Sequence, residues 1–253
     1  DQWDGEPRPS IQRYAETESM VNWMGLPGDG AEVVAERLND YGRHGVPLTI
    51  NLMSTPGKKD ATLWRDVEET VLEMRDVPYV DRWELNFSCP NTHASTGGLD
   101  AREENKRALD DVLTIVETYA HARQEIFVKV SPNEEPEGVE DMFAILSGHR
   151  VAGITTTNTT TQHDTRFINP SPGKGGGSGN AVYGDSLRVQ QLFHAKTEAD
   201  DGRKWQIDAC GGINTVARVE ERLEHGATGI QLYTPLVFNG PRFVRALRMY
   251  GEK

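Results

Sequence analysis

Short apolar runs alternate along this chain with longer stretches of helical period. The runs are Pro47-Leu-Thr-Ile-Asn51, Trp83-Glu-Leu-Asn-Phe-Ser-Cys89, Ile126-Phe-Val-Lys129, Ile154-Thr-Thr-Thr-Asn158, Ile207-Asp-Ala-Cys-Gly-Gly212 and Ile230-Gln-Leu-Tyr-Thr234. Each ends in a polar or glycine-bearing signature. Leu63, Val67, Val71 and Met74 recur at three- and four-residue steps, as do Leu109, Val112, Val116 and Tyr119. Val216, Val219 and Leu223 repeat the pattern after Asn214-Thr215, an N-cap signal, and Gly226 stops that helix. The outer faces of these helices are acidic or mixed. A repeating strand–helix unit with its reactive groups at the strand C-termini predicts an α/β fold, the (β/α)8 TIM barrel.

Six strands are recognisable from Pro47 onward, and residues 1–46 offer no convincing pair to complete eight. Ser10–Tyr14 and Ser19–Asn22 read as a short hairpin or irregular excursion, followed by a helix near Ala31–Tyr41. The expectation is a single barrel domain over residues 1–253, N-terminally truncated or irregularly closed. Asn169–Gly179, rich in Pro, Ser and Gly, reads as a long functional loop between two strands of that barrel.

Composition narrows the function. A net charge of −12 argues against nucleic acid, whose phosphates require clustered Lys and Arg. The two cysteines, Cys89 and Cys210, build no disulfide framework and suit a reducing compartment. No apolar stretch approaches the roughly 18 residues of a spanning helix, and no signal-peptide pattern is present. A cytoplasmic setting is the default.

Chemistry is densest at Asn86-Phe-Ser-Cys-Pro-Asn-Thr92. A strand delivers Asn86, and Cys89 follows among polar neighbours before Pro90, a setting for an exposed thiol rather than a core one. With a reference pKa near 8.5, a thiol can serve as a general base where its surroundings favour thiolate. Lys129 ends an apolar strand: it is either a strand-end lysine reaching solvent or a buried cation facing an anionic ligand. Asn51 and Thr157-Asn158-Thr159 are ambiguous taken singly, and Cys210 reads as small core filling. Gly175–Gly179 and Gly211-Gly212 precede helix-like segments, and Gly211-Gly212 and Tyr233-Thr234 follow the last two strands. Helix N-termini and the last two loops of a barrel are common phosphate sites, so these positions suggest a phosphorylated cofactor.

Taken together, Asn-Phe-Ser-Cys-Pro-Asn-Thr, Val-Lys-Val-Ser-Pro, Thr-Asn-Thr-Thr, Gly-Gly-Gly-Ser-Gly, Gly-Gly-Ile and Gln-Leu-Tyr-Thr resemble the dihydroorotate dehydrogenases, in that family's order. Gly5-Glu-Pro-Arg-Pro9 and Val21-Asn-Trp-Met-Gly25 resemble its excursion after the second strand. The resemblance runs from about Gly5 to Phe243. It implies an FMN enzyme that oxidises dihydroorotate to orotate in pyrimidine biosynthesis. Cys89 would take the C5 proton as general base while hydride leaves C6 for flavin N5. Asn22, Asn86, Asn91, Asn158 and Thr159 would hold the substrate. Asn51, Asn86, Lys129 and Thr157 would contact the flavin ring, and Gly179, Gly211, Gly212, Tyr233 and Thr234 its phosphate.

Departures leave the electron acceptor open among quinone, fumarate and a partner subunit. A Cys base resembles the soluble class, whereas Thr-Asn-Thr-Thr and Gly-Glu-Pro-Arg-Pro resemble the quinone-dependent class, which typically uses Ser. Pro27 stands where that class commonly has Asn, and the family's first two strands have no counterpart. A quinone module upstream would imply peripheral attachment to the inner membrane, and a homo-oligomer is compatible with the resemblance. The alternatives are a related flavin dihydropyrimidine-type oxidoreductase, a non-catalytic truncated barrel, and an aldolase-like barrel using Lys129 as a Schiff-base nucleophile.

Overall fold

A computed structural model describes residues 2–42, 45–58, 60–87 and 99–251. In chain order the elements are β1 (Ile11–Tyr14), β2 (Ser19–Asn22), α1 (Ala31–Tyr41), β3 (Leu48–Leu52), α2 (Asp60–Met74), β4 (Val80–Asn86), α3 (Leu99–Tyr119), β5 (Glu125–Val130) and α4 (Pro136–Ser147). Then come β6 (Gly153–Thr156), β7 (Gly176–Gly179), a 3-10 turn (Asn180–Val182), α5 (Tyr183–Ala199), β8 (Gln206–Cys210), α6 (Val216–Glu224), β9 (Gly229–Gln231), α7 (Thr234–Asn239) and α8 (Arg242–Gly251). Six strands, β3, β4, β5, β6, β8 and β9, form one sheet whose order follows the chain; helix comes next after each of them except β6, where β7 and the 3-10 turn intervene before α5. The fold is α/β, of (β/α)8 TIM-barrel type, with six of the eight barrel strands present among the described residues.

Two compact units make up the chain. One comprises Asp1–Glu6, Gly25–Lys129 and Glu140–Gly153; the other comprises Pro7–Met24, Val130–Val139 and Ile154–Lys253.

In the first unit, β4 pairs in parallel with β3 and with β5. Trp83, Ile126, Phe127 and Val128 are wholly buried, which is why these strands read as continuous apolar runs. Trp83 Nε1 donates to Gln124 Oε1 at 2.9 Å, and Gln124 Nε2 donates to the Val80 carbonyl at 3.1 Å. The buried indole therefore keeps its polar edge satisfied. Helix α2 buries Leu63, Val67, Val71 and Met74, as its spacing predicts. Helix α3 buries Leu109, Val112 and Val116, but Tyr119 is only half-buried, and Leu113 and Ala120 complete the stripe.

In the second unit, β1 and β2 form an antiparallel hairpin, and β2 pairs again with β7. The expected long loop therefore ends as a strand. Glycine carries no alternating pattern, so β7 was invisible to periodicity, yet its register is tight: a Cβ at Gly176 would lie 2.1 Å from Thr159 Oγ1. Parallel pairing joins β8 to β9. Thr215 N-caps α6, its Oγ1 accepting from Arg218 N at 3.2 Å, and Gly226 follows the helix with φ 83°. Along α6 the apolar stripe is displaced from the sequence expectation: Leu223 is 48% exposed, whereas Arg222 is wholly buried. No helix among the described residues is long and apolar enough to cross a membrane.

His149 clamps the first unit beneath α3. Its Nε2 meets Asp110 Oδ1 at 3.0 Å and its Nδ1 meets Glu117 Oε2 at 3.2 Å. Burial pushes the imidazole pKa down, but hydrogen bonds and charge from Asp110 and Glu117 outweigh it and raise the pKa above its ordinary value. A raised folded-state pKa stabilises most below the unfolded value of about 6.5, and that contribution disappears as pH rises through the folded value. The Tm deficit of His149→Gln relative to wild type is accordingly expected to be larger at about pH 5.5 than at about pH 8.5. Equal deficits at both pH values would remove the charged clamp.

Candidate active site

Three neighbouring strands of the first unit present a polar row. The registers align Asn51 with Glu84, and Asn86 with Lys129. Asn51 Nδ2 donates to Glu84 Oε2 at 2.6 Å, and Asn86 Nδ2 donates to Asn51 Oδ1 at 3.4 Å. Lys129 Nζ lies 3.7 Å from Glu84 Oε2, and its side chain is only 15% exposed. Lys129 is thus largely shielded from solvent, beside a buried carboxylate on the adjacent strand. Asn51 also lines a cleft of about 390 Å3 with Trp3, Leu26, Pro27, Ser54 and Thr55. The loop after β3 is anchored by buried Asp66, which accepts from Thr55 N at 2.6 Å and Thr55 Oγ1 at 3.0 Å.

The second unit gathers two further groups. Asn22 is the register partner of Gly176, and Thr159 packs where a side chain at Gly176 would otherwise stand. Asn22, Thr159 and neighbouring Asn158 are thus brought to one place. Asn158 Oδ1 accepts from Thr159 N at 2.8 Å, and Asn158 N donates to the Val130 carbonyl at 2.9 Å. Thr157 is buried, its N–H donating to the Cys210 carbonyl at 2.6 Å. Cys210 itself is half-buried at the end of β8 rather than filling the core.

The other group is a glycine cradle. A Cβ at Gly212 would lie 2.7 Å from the Gly179 carbonyl and 2.7 Å from Tyr183 Cβ, and Gly212 has φ 66°. A Cβ at Gly179 would lie 2.9 Å from Thr234 Cγ2. Three loops, those after β7, β8 and β9, therefore converge at van der Waals distance, and Thr234 Oγ1 donates to Ser178 Oγ at 2.9 Å. Of the pair expected from the last loop, Thr234 is buried here, whereas Tyr233 is 67% exposed.

Behind the cradle lies a polar network that the sequence reading missed. Arg218 Nη1 donates to the Gly212 carbonyl at 2.6 Å and to Asn214 Oδ1 at 2.9 Å. Arg222 Nη1 donates to Gln190 Oε1 at 2.9 Å; its Nη2 donates to Ser186 Oγ at 2.9 Å and to the Gly211 carbonyl at 3.0 Å. Burial lowers the Arg222 pKa to about 10, which leaves it charged at neutral pH. Tyr183, under both guanidinium groups and donating to Glu221, is pushed up to about 12, chiefly by burial and then by that hydrogen bond. Glu84 had a readable signal, an acid between the apolar residues Trp83 and Leu85. Arg222 had none, since an arginine on a charged helix face ordinarily points to water. Cys89 and Asn91 lie outside the described residues.

Similarity to known proteins places this architecture. A family model described as dihydroorotate dehydrogenase matches residues 1–249, and the chain belongs to that family. A dihydroorotate dehydrogenase (quinone) of Thermus thermophilus is 31% identical over 244 residues, covering 96% of this chain and 67% of that protein. A second, from Sphingopyxis alaskensis, is 30% identical over 240 residues, covering 94% and 64%. The chain thus spans about two thirds of the length of the curated relatives it matches. Two solved structures of DHODH from Eimeria tenella share the fold. The ligand-free one has a TM-score of 0.78 at 23% identity, covering 97% of this chain and 72% of that one. The complex with ferulenol has a TM-score of 0.82 at 21% identity, covering 98% and 70%.

The cradle sets a clear expectation for substitution. Gly212→Ala should destabilise the protein by roughly 1–2 kcal/mol from its left-handed backbone alone, with the clash adding to that. Gly184→Ala, in α5 with nothing within 4 Å of the added methyl, should be near neutral. Urea midpoints of the two variants test this, and equal midpoints would contradict the close approach.

Proposed function

We propose that the chain oxidises dihydroorotate to orotate with FMN as its cofactor and a quinone as electron acceptor. One observation carries the reading: a chain matched to the dihydroorotate dehydrogenase family over residues 1–249 also brings three glycine-bearing loops together, which supports a phosphate site there. The fit is physical. Side chains are excluded at Gly179, Gly211 and Gly212, so backbone N–H groups can approach phosphate oxygens closely. Quinone is favoured over fumarate or a partner subunit because the relatives at about 30% identity carry quinone in their names.

In this reading, bound FMN supplies the two-electron acceptor, and the protein supplies orientation and electrostatics. Gly179, Gly211, Gly212, Thr234 and the backbone of Tyr233 hold the phosphate end. Asn51, Asn86, Lys129 and Thr157 hold the ring, with Lys129 supplying positive charge at its polar edge. Glu84 keeps that cation and the Asn51 amide in place. Asn22, Asn86, Asn91, Asn158 and Thr159 bind the substrate ring and carboxylate. Cys89 takes the C5 proton as general base.

The test begins with flavin content and acceptor preference. The purified chain should bind FMN, and its bleached flavin should be reoxidised by a soluble quinone faster than by fumarate. Cys89→Ala should keep the flavin and bind orotate, yet be reduced by dihydroorotate at least ~100-fold more slowly. Anaerobic stopped-flow bleaching reads that rate. Near-wild-type reduction of the Ala variant would assign the C5 proton to another group, and a chain unable to hold FMN would sink the whole reading.

A further inference from the structure

Arg222 is the largest buried charge of the second unit, yet among the described residues no carboxylate lies within ion-pair distance of it. Burying a guanidinium costs several kcal/mol unless something compensates. Its acceptors are neutral: Gln190 Oε1, Ser186 Oγ and the carbonyls of Tyr183 and Gly211. Its Nε is buried without any hydrogen-bond partner. Glu221 adds a favourable charge interaction from beyond ion-pair distance. A fully buried cation placed directly behind a glycine loop favours an anion on the far side of that loop.

Peptide geometry says how the charge is passed on. In a trans peptide the C=O and the following N–H point in opposite directions. Arg222 holds the Gly211 carbonyl from behind, so the Gly212 N–H faces away from the guanidinium. Arg218 holds the Gly212 carbonyl in the same way, which turns the Ile213 N–H outward. The two arginines lie four residues apart on α6, one helical turn, and so reach successive carbonyls of one turn. The cradle side of that turn is where Gly179 and Thr234 converge.

We infer that Arg222 is a positioning residue for a phosphate monoester, fixing the Gly211–Gly212 peptide and lending the loop positive charge. The inference rests on the FMN reading and adds to it a residue that does not touch the ligand. It selects the phosphate end: Arg222 should matter to FMN and be indifferent to riboflavin, which is the same flavin without the phosphate.

Apo-protein titrated with FMN and with riboflavin, followed by quenching of flavin fluorescence, makes the comparison. Arg222→Met should weaken FMN roughly 10- to 100-fold, the range for lost contacts to a charged group, and leave riboflavin unchanged. Arg222→Lys should recover part of the FMN affinity. Gln190→Glu places a carboxylate against the intact guanidinium, so it should reduce the FMN preference with the arginine still present. In wild-type protein, the phosphorus resonance of bound FMN should remain that of the dianion below its free pKa of about 6. That last measurement decides the matter even if no variant folds.

Equal weakening of both flavins would reduce Arg222 to a structural support and overturn the inference. So would an intact FMN preference in the variants, or a bound phosphate titrating at its free value. Wild-type protein that binds both flavins equally would instead refute the phosphate cradle itself, and protein that binds neither would refute the FMN reading.

Discussion

Main chain and side chains are packed directly against glycine at the strand ends of the second unit, and this close approach is the constraint from which its local structure follows. Gly176 admits Thr159, Gly179 admits Thr234, and Gly212 lies against both the Gly179 carbonyl and Tyr183. None of these distances leaves room for a Cβ. Two consequences come together: the loops after β7, β8 and β9 are fixed relative to one another, and the surface they share is lined by main chain. Such a surface can offer several N–H groups to an anion at once, which side chains on separate loops do less well.

Buried charge governs both units, by different means. In the first, Lys129 and Glu84 lie on adjacent strands, and Asn51 supplies a further hydrogen bond to the carboxylate. In the second, Arg222 has four neutral acceptors and, among the described residues, no carboxylate within ion-pair distance. Hydrogen bonds to a charged group contribute about 1.5–3 kcal/mol each, so four can offset a desolvation cost of several kcal/mol. The first arrangement sets its cation beside a carboxylate, whereas the second holds it on neutral acceptors, with Glu221 acting only at longer range.

The sequence was readable wherever burial was apolar and periodic. The six parallel strands stood out because residues such as Ile126, Phe127 and Val128 are buried on both faces. The helical stripe of α2 was complete, and the caps of α6, Thr215 and Gly226, lay where residue type predicted. Legibility failed where polar atoms are buried or where glycine replaces pattern. Helix α5 buries Ser186 and Gln190, so its core-facing side resembles a surface. Strand β7 is three glycines and a serine. Leu223 and Arg222 exchanged their expected places because hydrogen-bond acceptors, rather than apolar contacts, await that position of α6. The importance of the glycine loops was anticipated from their placement, whereas the arginines packed behind them carry no signal in residue type.

Strand β3 has a consequence of another kind. Among the described residues it pairs only with β4, so its opposite side carries main-chain groups with no neighbouring strand. A bare strand edge is a template on which further chain can be added, from the same molecule or from another copy. Five residues, Leu48–Leu52, make a short template, and Thr49 and Asn51 keep it polar where it is exposed. One short strand therefore carries both Asn51, at the polar row, and a rim on which further chain could be added.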